Sequence, residues 1–479
     1  MSFQAQLVML AWMPLVIYLF WWLPAPKAVV ISFIAAWLFL PQGAGFVFTG
    51  IPDYTRMSAT CYGIFLATLI FDAQRLRSFK FSWLDWPMLI WCLCPIPSSL
   101  SNGLGAYHGF SLALSQTVAY GLPYFLGRIY LNNLAGLRYL AMSMLVGGLI
   151  YVPLCLYEIR MSPQVHYLVY GYHNMRAFLQ SMRLGGYRPY VFMQHGLSVG
   201  MWMMAATLIG IWLWQAGCLK RRLWGISIEW FLLGLLFTFV LVRSAGAYLY
   251  FAYGIATLLI VKWFRTAIPL FFLVGAILFY LFLGISGNFS ETHADRLVTI
   301  ASQLVGSERA GSLEFRIENE EMLARKAREQ LVFGWGGFGR ARIYEENWEG
   351  DLVDVSITDS LWIIAFGDYG VVGVAAIFSS SLLPTFVFFG FRYRASLWFN
   401  PNVAPAAVLA LVIVLYMVDC TLNNLPNPVF TMTSGGIAGL VLTGGAKNVS
   451  QRTVANSHDS ARRLRVRANS LRRKSTADR

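Results

Sequence analysis

Residues 267–284 read AIPLFFLVGAILFYLFLG, eighteen positions without one charged side chain. As a helix rising 1.5 Å per residue, this run reaches about 27 Å, close to the hydrocarbon thickness of a bilayer. Twelve further apolar segments flank it, near 7–23, 28–49, 57–72, 86–101, 106–127, 137–159, 190–217, 224–242, 245–261, 357–391, 403–418 and 428–444. Segments 28–49 and 357–391 are long for single spans, so the count expected is about 12–14. Of the 479 residues, 57% are hydrophobic and only 13% charged, where soluble domains are about half apolar and a quarter charged. That balance excludes a soluble enzyme, a disordered regulator and a disulfide scaffold. The fold class expected is all-α: a polytopic membrane helix bundle with a mostly helical external lobe.

The formal net charge of +14 suggests a nucleic-acid binder until the charges are located. Ten of the 37 basic residues lie in 447–479, opposed only by Asp459 and Asp478. A tail of this kind, 445–479 here, is expected to be disordered against an anionic membrane surface. Lys27; Arg75, Arg77 and Lys80; Arg128 and Arg138; Lys220, Arg221 and Arg222; Lys262 and Arg265; and Arg392 and Arg394 fall in alternate connections. The positive-inside rule puts all of these, with the tail, in the cytoplasm. The uncharged start MSFQAQ is then outside; it lacks the basic region of a signal peptide, so the first span is expected to remain as an anchor. The domains expected are spans over 1–284 with a basic external loop at 160–189, a large external lobe at 285–356, further spans over 357–444, and the tail. No nucleic-acid partner is expected.

The lobe at 285–356 holds 13 of the 23 acidic residues against 8 basic ones, which marks a solvated surface. Residues 312–331 are expected to form an amphipathic helix, with Glu321, Arg325 and Glu329 as an i,i+4 ladder and Arg316 near its start. The stretch 334–340, GWGGFGR, matches G-x-G-x-x-G but follows a charged helix rather than a strand, so a dinucleotide cofactor is not expected; glycines that turn the chain back to the membrane are. Cys61, Cys92, Cys94, Cys155, Cys218 and Cys420 lie in or beside spans, and Cys92-x-Cys94 lacks zinc-site spacing. Neither a metal nor a disulfide is expected.

The external loop carries Arg160, Arg176, Arg183 and Arg188 with His166 and His173, and has no acid after Glu158. Basic residues on the outer side oppose the topology rule, and guanidinium forks match phosphate oxygens. The pattern points to a polyanion site at this face. RPYVFMQHGLSVG (188–200) places His195 just below that surface, and VLVRSAGAYLYF (240–251) adds Arg243. DVSITDSLWIIAFGDYGVVG (354–373) sets Asp359 at a mouth and Asp368 deeper, where it is expected to be half of a buried pair. Ionisable groups inside spans are candidates for function by default.

Taken in order, these features resemble the O-antigen ligase and O-antigen polymerase superfamily of bacterial envelope glycosyltransferases. The points of resemblance are the Arg-bearing loop before a span opening R…H-x-L, the short external turn, and a lobe in which Arg316 stands 18 residues before Gly334. Gly370-Val-Val-Gly373, 11 residues after Asp359, matches the family's G-hydrophobic-x-G turn. Two departures stand out. Asp359-Ser360 occupies the place of the family's His-Asn pair, and Ser244-Ala245-Gly246 that of its Ser-Arg-Gly, leaving Arg243 as the nearby substitute.

The resemblance implies glycan transfer from an undecaprenyl-diphosphate-linked donor to an acceptor hydroxyl at the periplasmic face of the inner membrane, without cofactor or metal. Arg188 and Arg316 are then expected to clamp the diphosphate with Arg243 or Arg183 assisting, and Asp359 to act as base with His195 in reserve. The expected partners are the lipid-linked glycan, the acceptor glycan and membrane lipid; a chain-length regulator is a further candidate. An exopolysaccharide or O-antigen polymerase is the leading reading. A ligase that moves finished glycan to lipid A-core stays open, as does a transporter or flippase of an amphipathic anion. Polar candidates at one face, and no internal repeat of the kind transporters show, favour an enzyme.

Overall fold

The computed structural model describes residues 2–48, 52–175, 178–183, 185–223, 225–288, 307–348 and 350–443, the side chains of 307–317 excepted. The tail, Arg176 and the side chain of Arg316 lie outside these described residues. The chain is a helix bundle. Its first half contains α1 (Phe3–Trp22), α2 (Ala25–Phe39), α3 (Arg56–Phe71), α4 (Ala73–Arg77), α5 (Trp86–Leu93), α6 (Pro95–Ser101), α7 (Ala106–Gln116), α8 (Leu122–Tyr130), α9 (Leu134–Met161) and α10 (Val165–Tyr170). There follow α11 (Gly196–Gln215), α12 (Ile228–Leu241), α13 (Ala245–Phe264), α14 (Ile268–Ser286), α15 (Ser307–Arg328), α16 (Leu361–Val387), α17 (Ala404–Cys420) and α18 (Pro428–Leu442). Short two-stranded hairpins decorate the connections.

Each apolar segment of the sequence contains a helix, segment 28–49 only as far as Phe39, and among the described residues six helices are long and apolar enough to cross a membrane. Segment 86–101 is two pieces, α5 and α6, where Pro95 and Pro97 interrupt the ladder. Segment 106–127 is α7 joined to α8 through a π-helical turn at Thr117–Gly121. Helix starts follow local chemistry. Thr55 and Ser58 form a capping box at α3, and the Asn133 and Asn427 side chains accept from Gly136 N–H and Val429 N–H at 2.9 Å, satisfying donors that have no partner inside the helix.

Helix α17 is the central post, buried along almost its whole length and packed by α9, α11, α13, α14, α16 and α18. At the periphery α14 turns Ile268, Phe272, Phe279 and Phe282 outward, the exposure a helix tolerates against lipid. The closest helix crossing joins α8 to α18. A Cβ on Gly127 would lie 2.0 Å from the Met432 carbonyl oxygen, and one on Gly435 1.9 Å from that of Tyr124. Gly435 and Gly439 form a G-x-x-x-G pair that permits this approach. Gly435→Ala is therefore expected to cost about 1–3 kcal/mol by overpacking, visible as a lowered melting temperature of the detergent-solubilised protein.

Hydrogen bonds between connections sort them into two ends. At one end Gln42 N–H reaches His166, Arg56 reaches Phe192 O, and Arg188 reaches Arg243 O. At the other, Lys262 bonds Gln215, Cys218 bonds Pro401 O and Thr443 bonds Asn132 O. The second end also holds the buried pair Arg128–Asp85 at 3.2 Å. The basic connections of the sequence gather there; the arginine-rich loop and the lobe belong to the first end.

Helix α16 is broken at Gly370, whose φ of 65° and ψ of −161° are not helical. The lobe segment 331–336 repairs the break. Trp335 N–H and Gly336 N–H donate to the carbonyls of Gly367 and Asp368 at 2.8 and 3.0 Å, while Val371 N–H donates to Leu331 O at 2.9 Å. Val372 N–H adds a longer bond to Val332 O at 3.4 Å. Backbone groups freed at membrane depth must find such partners. The GWGGFGR glycines thus do more than turn the chain: they allow a non-helical segment to plug a split span.

Within the lobe, α15 begins five residues earlier than the expected 312 and ends at Arg328. Its ion pairs also differ from the expected ladder. Lys326 pairs with Glu329 and Arg328 with Glu321, each at 2.6 Å, because Arg328 turns back to bond Gly284 O at the end of α14. The described lobe also has a hairpin, Tyr344–Glu346 with Leu352–Asp354, beyond the helical content expected.

Candidate active site

Three of the arginines singled out in the sequence meet at the first end of the bundle. Their frame is Glu158, a buried carboxylate at the last turn of α9, which accepts from Val165 N–H, Tyr190 N–H and Val191 N–H at 2.7–2.8 Å. One side chain thereby staples both arms of the loop. Arg188 is 7% exposed. Its stem lies where a Cβ on Gly196 would sit, 2.2 Å from Cδ, and its Nη2 donates to Arg243 O at 3.0 Å.

Arg243 stands in the left-handed region at φ 59°, a conformation that costs a non-glycine residue free energy. The turn is held by Arg188 and by Tyr248, whose hydroxyl accepts from Arg243 N–H at 2.9 Å. The Arg243 guanidinium lies against Gly186, where a Cβ would sit, and donates from Nη1 to Arg183 O at 3.1 Å. Arg183 is exposed beside it. Among the described residues, no ion pair includes Arg183 or Arg243. The arrangement gathers positive charge and fixes it through backbone carbonyls, with the Arg183 and Arg243 guanidiniums outside any described ion pair and suited to an anion.

His195 caps α11: its Nδ1 accepts from Leu197 N–H at 3.1 Å, which puts the proton of the neutral ring on Nε2. In this tautomer Nε2 donates to an oxygen rather than removing a proton. Asp359 is half-buried and directly precedes Ser360, the N-cap residue of α16. Ser360 Oγ donates to Glu320 Oε1 at 2.6 Å, and Tyr280 donates to Glu320 Oε2 at 2.7 Å. Asn319 takes Ile357 N–H at 3.0 Å and returns a bond to Ile357 O. The Asn319–Glu320 face of α15 is thus clamped to the strand of chain that carries Asp359. Arg316 occupies the helical position one turn before Glu320, along that same face.

Three residues stand otherwise than the sequence suggests. His166 is 2% exposed, donates from Nδ1 to Tyr172 O at 2.8 Å and accepts Gln42 N–H on Nε2 at 3.1 Å. Both ring nitrogens are used, so it is a structural bridge and not an anion ligand. Burial, helped by the nearby Arg56 and His173, pushes its pKa below the usual 6.5. A depressed histidine pKa stabilises the fold above the unfolded value and loses that contribution as pH falls through the folded one. Acidification below about 6.5 is therefore expected to loosen residues 160–175. Faster amide exchange there at pH 5 than at pH 7.5, after correction for intrinsic rates, with the excess abolished in His166→Gln, would verify this.

His173, for its part, stacks on Tyr167 at 4.7 Å. Asp368 is not half of a buried ion pair: among the described residues no ion pair includes it, the residue is largely buried, and its carbonyl takes Ser98 Oγ–H at 2.7 Å. Asp419 escaped notice in the sequence. It is 6% exposed at the first end of the central post and accepts from Asn423 Nδ2 at 2.8 Å. The available signal was an acid closing the otherwise uncharged run of α17.

Residues 230–378 match the family model described as Wzy_C, O-Antigen ligase. The match runs from α12 through the lobe into α16, and so takes in Arg243, Arg316, Asp359 and Gly370 but not Arg183, Arg188 or His195. No curated protein matches the chain. Over this stretch, about a third of the chain, the protein is similar to the O-antigen ligase and polymerase-like superfamily, whose members are glycosyltransferase-like enzymes.

Proposed function

We propose that this protein is a polysaccharide polymerase of the bacterial inner membrane, moving glycan from an undecaprenyl-diphosphate-linked donor to an acceptor sugar hydroxyl at the periplasmic face. The observation that carries the reading is the chain of contacts Arg188–Arg243–Arg183, which concentrates guanidinium groups at one end of a membrane bundle, beside the family-matched region. In the reaction the acceptor oxygen forms a bond to the anomeric carbon as the bond from that carbon to the diphosphate oxygen breaks. Arg188 and Arg316, assisted by Arg243 and Arg183, offset the charge that grows on the leaving diphosphate. Asp359 takes the acceptor proton. No cofactor or metal is assigned to these steps. The lobe and the arginine loop are placed in the periplasm and the tail in the cytoplasm on the charge rule; a chain-length regulator is a partner consistent with this reading.

The ligase reading is favoured by the description of the matched family and differs only in the acceptor. Deleting the gene separates the two. Single repeat units without long chains identify a polymerase, and intact polymer stranded on its lipid carrier identifies a ligase. Unchanged envelope glycan overturns both. Within the site, Asp359→Asn is expected to lower transfer by about 10²–10⁴-fold, the scale of general base loss, while donor binding persists. Transfer at the wild-type rate would remove Asp359 from the mechanism.

A further inference from the structure

Tyr190, two residues after Arg188, is 1% exposed. Its phenol oxygen is shut from solvent and has no hydrogen-bond partner among the described residues. Buried tyrosine hydroxyls ordinarily find a partner, and one left without it destabilises the fold. The ring lies against His195, with centroids 5.4 Å apart, and the charges of Arg188 and Arg183 both act on the hydroxyl. An orphaned donor therefore sits among three side chains already assigned to the site.

The main chain around Tyr190 is held from several directions. Glu158 accepts Tyr190 N–H and Val191 N–H at 2.8 and 2.7 Å, and Met193 N–H closes a turn onto Tyr190 O at 2.9 Å. From the other arm of the loop, Asn174 Nδ2 reaches the carbonyls of Val191 and Met193 at 3.3 and 2.7 Å. Inside this turn Val191 has φ 50°, in the left-handed region where a β-branched residue is a genuine outlier. Strain of that kind persists only where surrounding bonds over-determine it, and it collects at ligand sites. The frame keeps the phenol beside the guanidiniums instead of letting it turn to a protein acceptor.

We propose that Tyr190 binds the substrate directly, its hydroxyl donating to an oxygen of the donor's diphosphate beside Arg188 and Arg183. The inference rests on the reading of this cluster as the diphosphate site and adds to it a neutral donor with one fixed direction. Next to two positive charges, an anionic oxygen is the acceptor that the local field favours. Arg183, exposed on the hairpin of Met182–Arg183 with Gly186–Tyr187, is the long solvated side chain whose movement opens this corner to the donor. Tyr190 keeps its proton throughout. It holds the oxygen on which negative charge grows as the bond to the anomeric carbon breaks.

The test compares full-length wild type and Tyr190→Phe in phosphatidylcholine nanodiscs, measuring affinity for farnesyl diphosphate and, without ligand, the melting temperature. Phenylalanine keeps the ring against His195 and removes only the oxygen. Farnesyl diphosphate is expected to bind Tyr190→Phe about 10–100-fold more weakly, the scale of a hydrogen bond to a charged group. The melting temperature is expected to stay the same or rise, because an unpartnered buried hydroxyl is gone. Tyr172→Phe is the control for a structural hydroxyl: it deletes a bond to Gln42 O at 2.9 Å, and should lower the melting temperature and leave affinity alone. Wild-type affinity in Tyr190→Phe would overturn the proposal even if transfer slowed, since the hydroxyl would then face the glycan. A melting temperature lowered as in Tyr172→Phe would give the hydroxyl a structural partner and overturn it as well. No binding by the wild type would remove the diphosphate site and this inference with it. If Arg188→Ala abolishes transfer while Tyr190→Phe binds normally, this inference fails and the transfer reading stands. If Tyr190→Phe weakens binding but gene deletion leaves the envelope glycan unchanged, the diphosphate contact stands and the transfer reading fails.

Discussion

Arg188→Ala is expected to lower glycan transfer by about 10²–10³-fold, the loss seen when a preorganised donor to a developing charge is removed. The effect has two sources. The guanidinium is itself a proposed ligand of the diphosphate. It also holds the Arg243 carbonyl at 3.0 Å and so keeps a strained turn at φ 59° in place, which in turn positions the Arg243 guanidinium against Gly186. Arg188→Lys retains charge but not the fork, and is expected to recover little activity. The measurement is polymer yield and length from membranes containing equal amounts of folded protein. Wild-type yield from Arg188→Ala would show that the diphosphate is held elsewhere.

Gly370→Ala is expected to abolish recovery of folded protein. The backbone there has φ 65° and ψ −161°, a region open essentially to glycine alone, where other residues lose about 1–3 kcal/mol. A Cβ would stand 2.4 Å from the carbonyl carbon and oxygen of Val332, in the segment that repairs the break. Displacing that segment puts at risk its hydrogen bonds to α16, each contributing about 0.5–1.5 kcal/mol. Gly275→Ala in α14 is the control, since a Cβ there meets nothing within 4 Å. It is expected to be neutral or slightly stabilising through helix propensity. Size-exclusion profiles of the two variants after identical expression would decide the matter; a monodisperse Gly370→Ala protein would show that the break tolerates a side chain.

Hydropathy made the helices legible because a span must be apolar over its whole length, whatever it packs against. The break in α16 was not legible in the same way. Its residues remain apolar through 369–374, and only backbone partners 32 to 40 positions away in the chain explain how Gly370 departs from the helix. Among site residues, the arginines stood out through charge on an unexpected side, a signal that survives without coordinates. His166 carried the same signal and proved to be a bridge, since sequence does not reveal which ring nitrogens are already taken. Glu158 and Asp419 show the complementary limit: each closes a long uncharged run, and burial with its partners, rather than residue type, sets it apart from a surface acid.

The plugged break in α16 has a consequence for traffic. A cap sewn into a transmembrane post by its own main chain does not lift away like a hinged cover, because raising it would unzip the span beneath. On the proposed function, a glycan riding on a long hydrocarbon anchor would then slip in sideways through a seam between helices, and the spent carrier would leave by a similar seam. Exchange runs in the plane of the bilayer, and the moving parts are to be sought among the peripheral helices rather than in the cap.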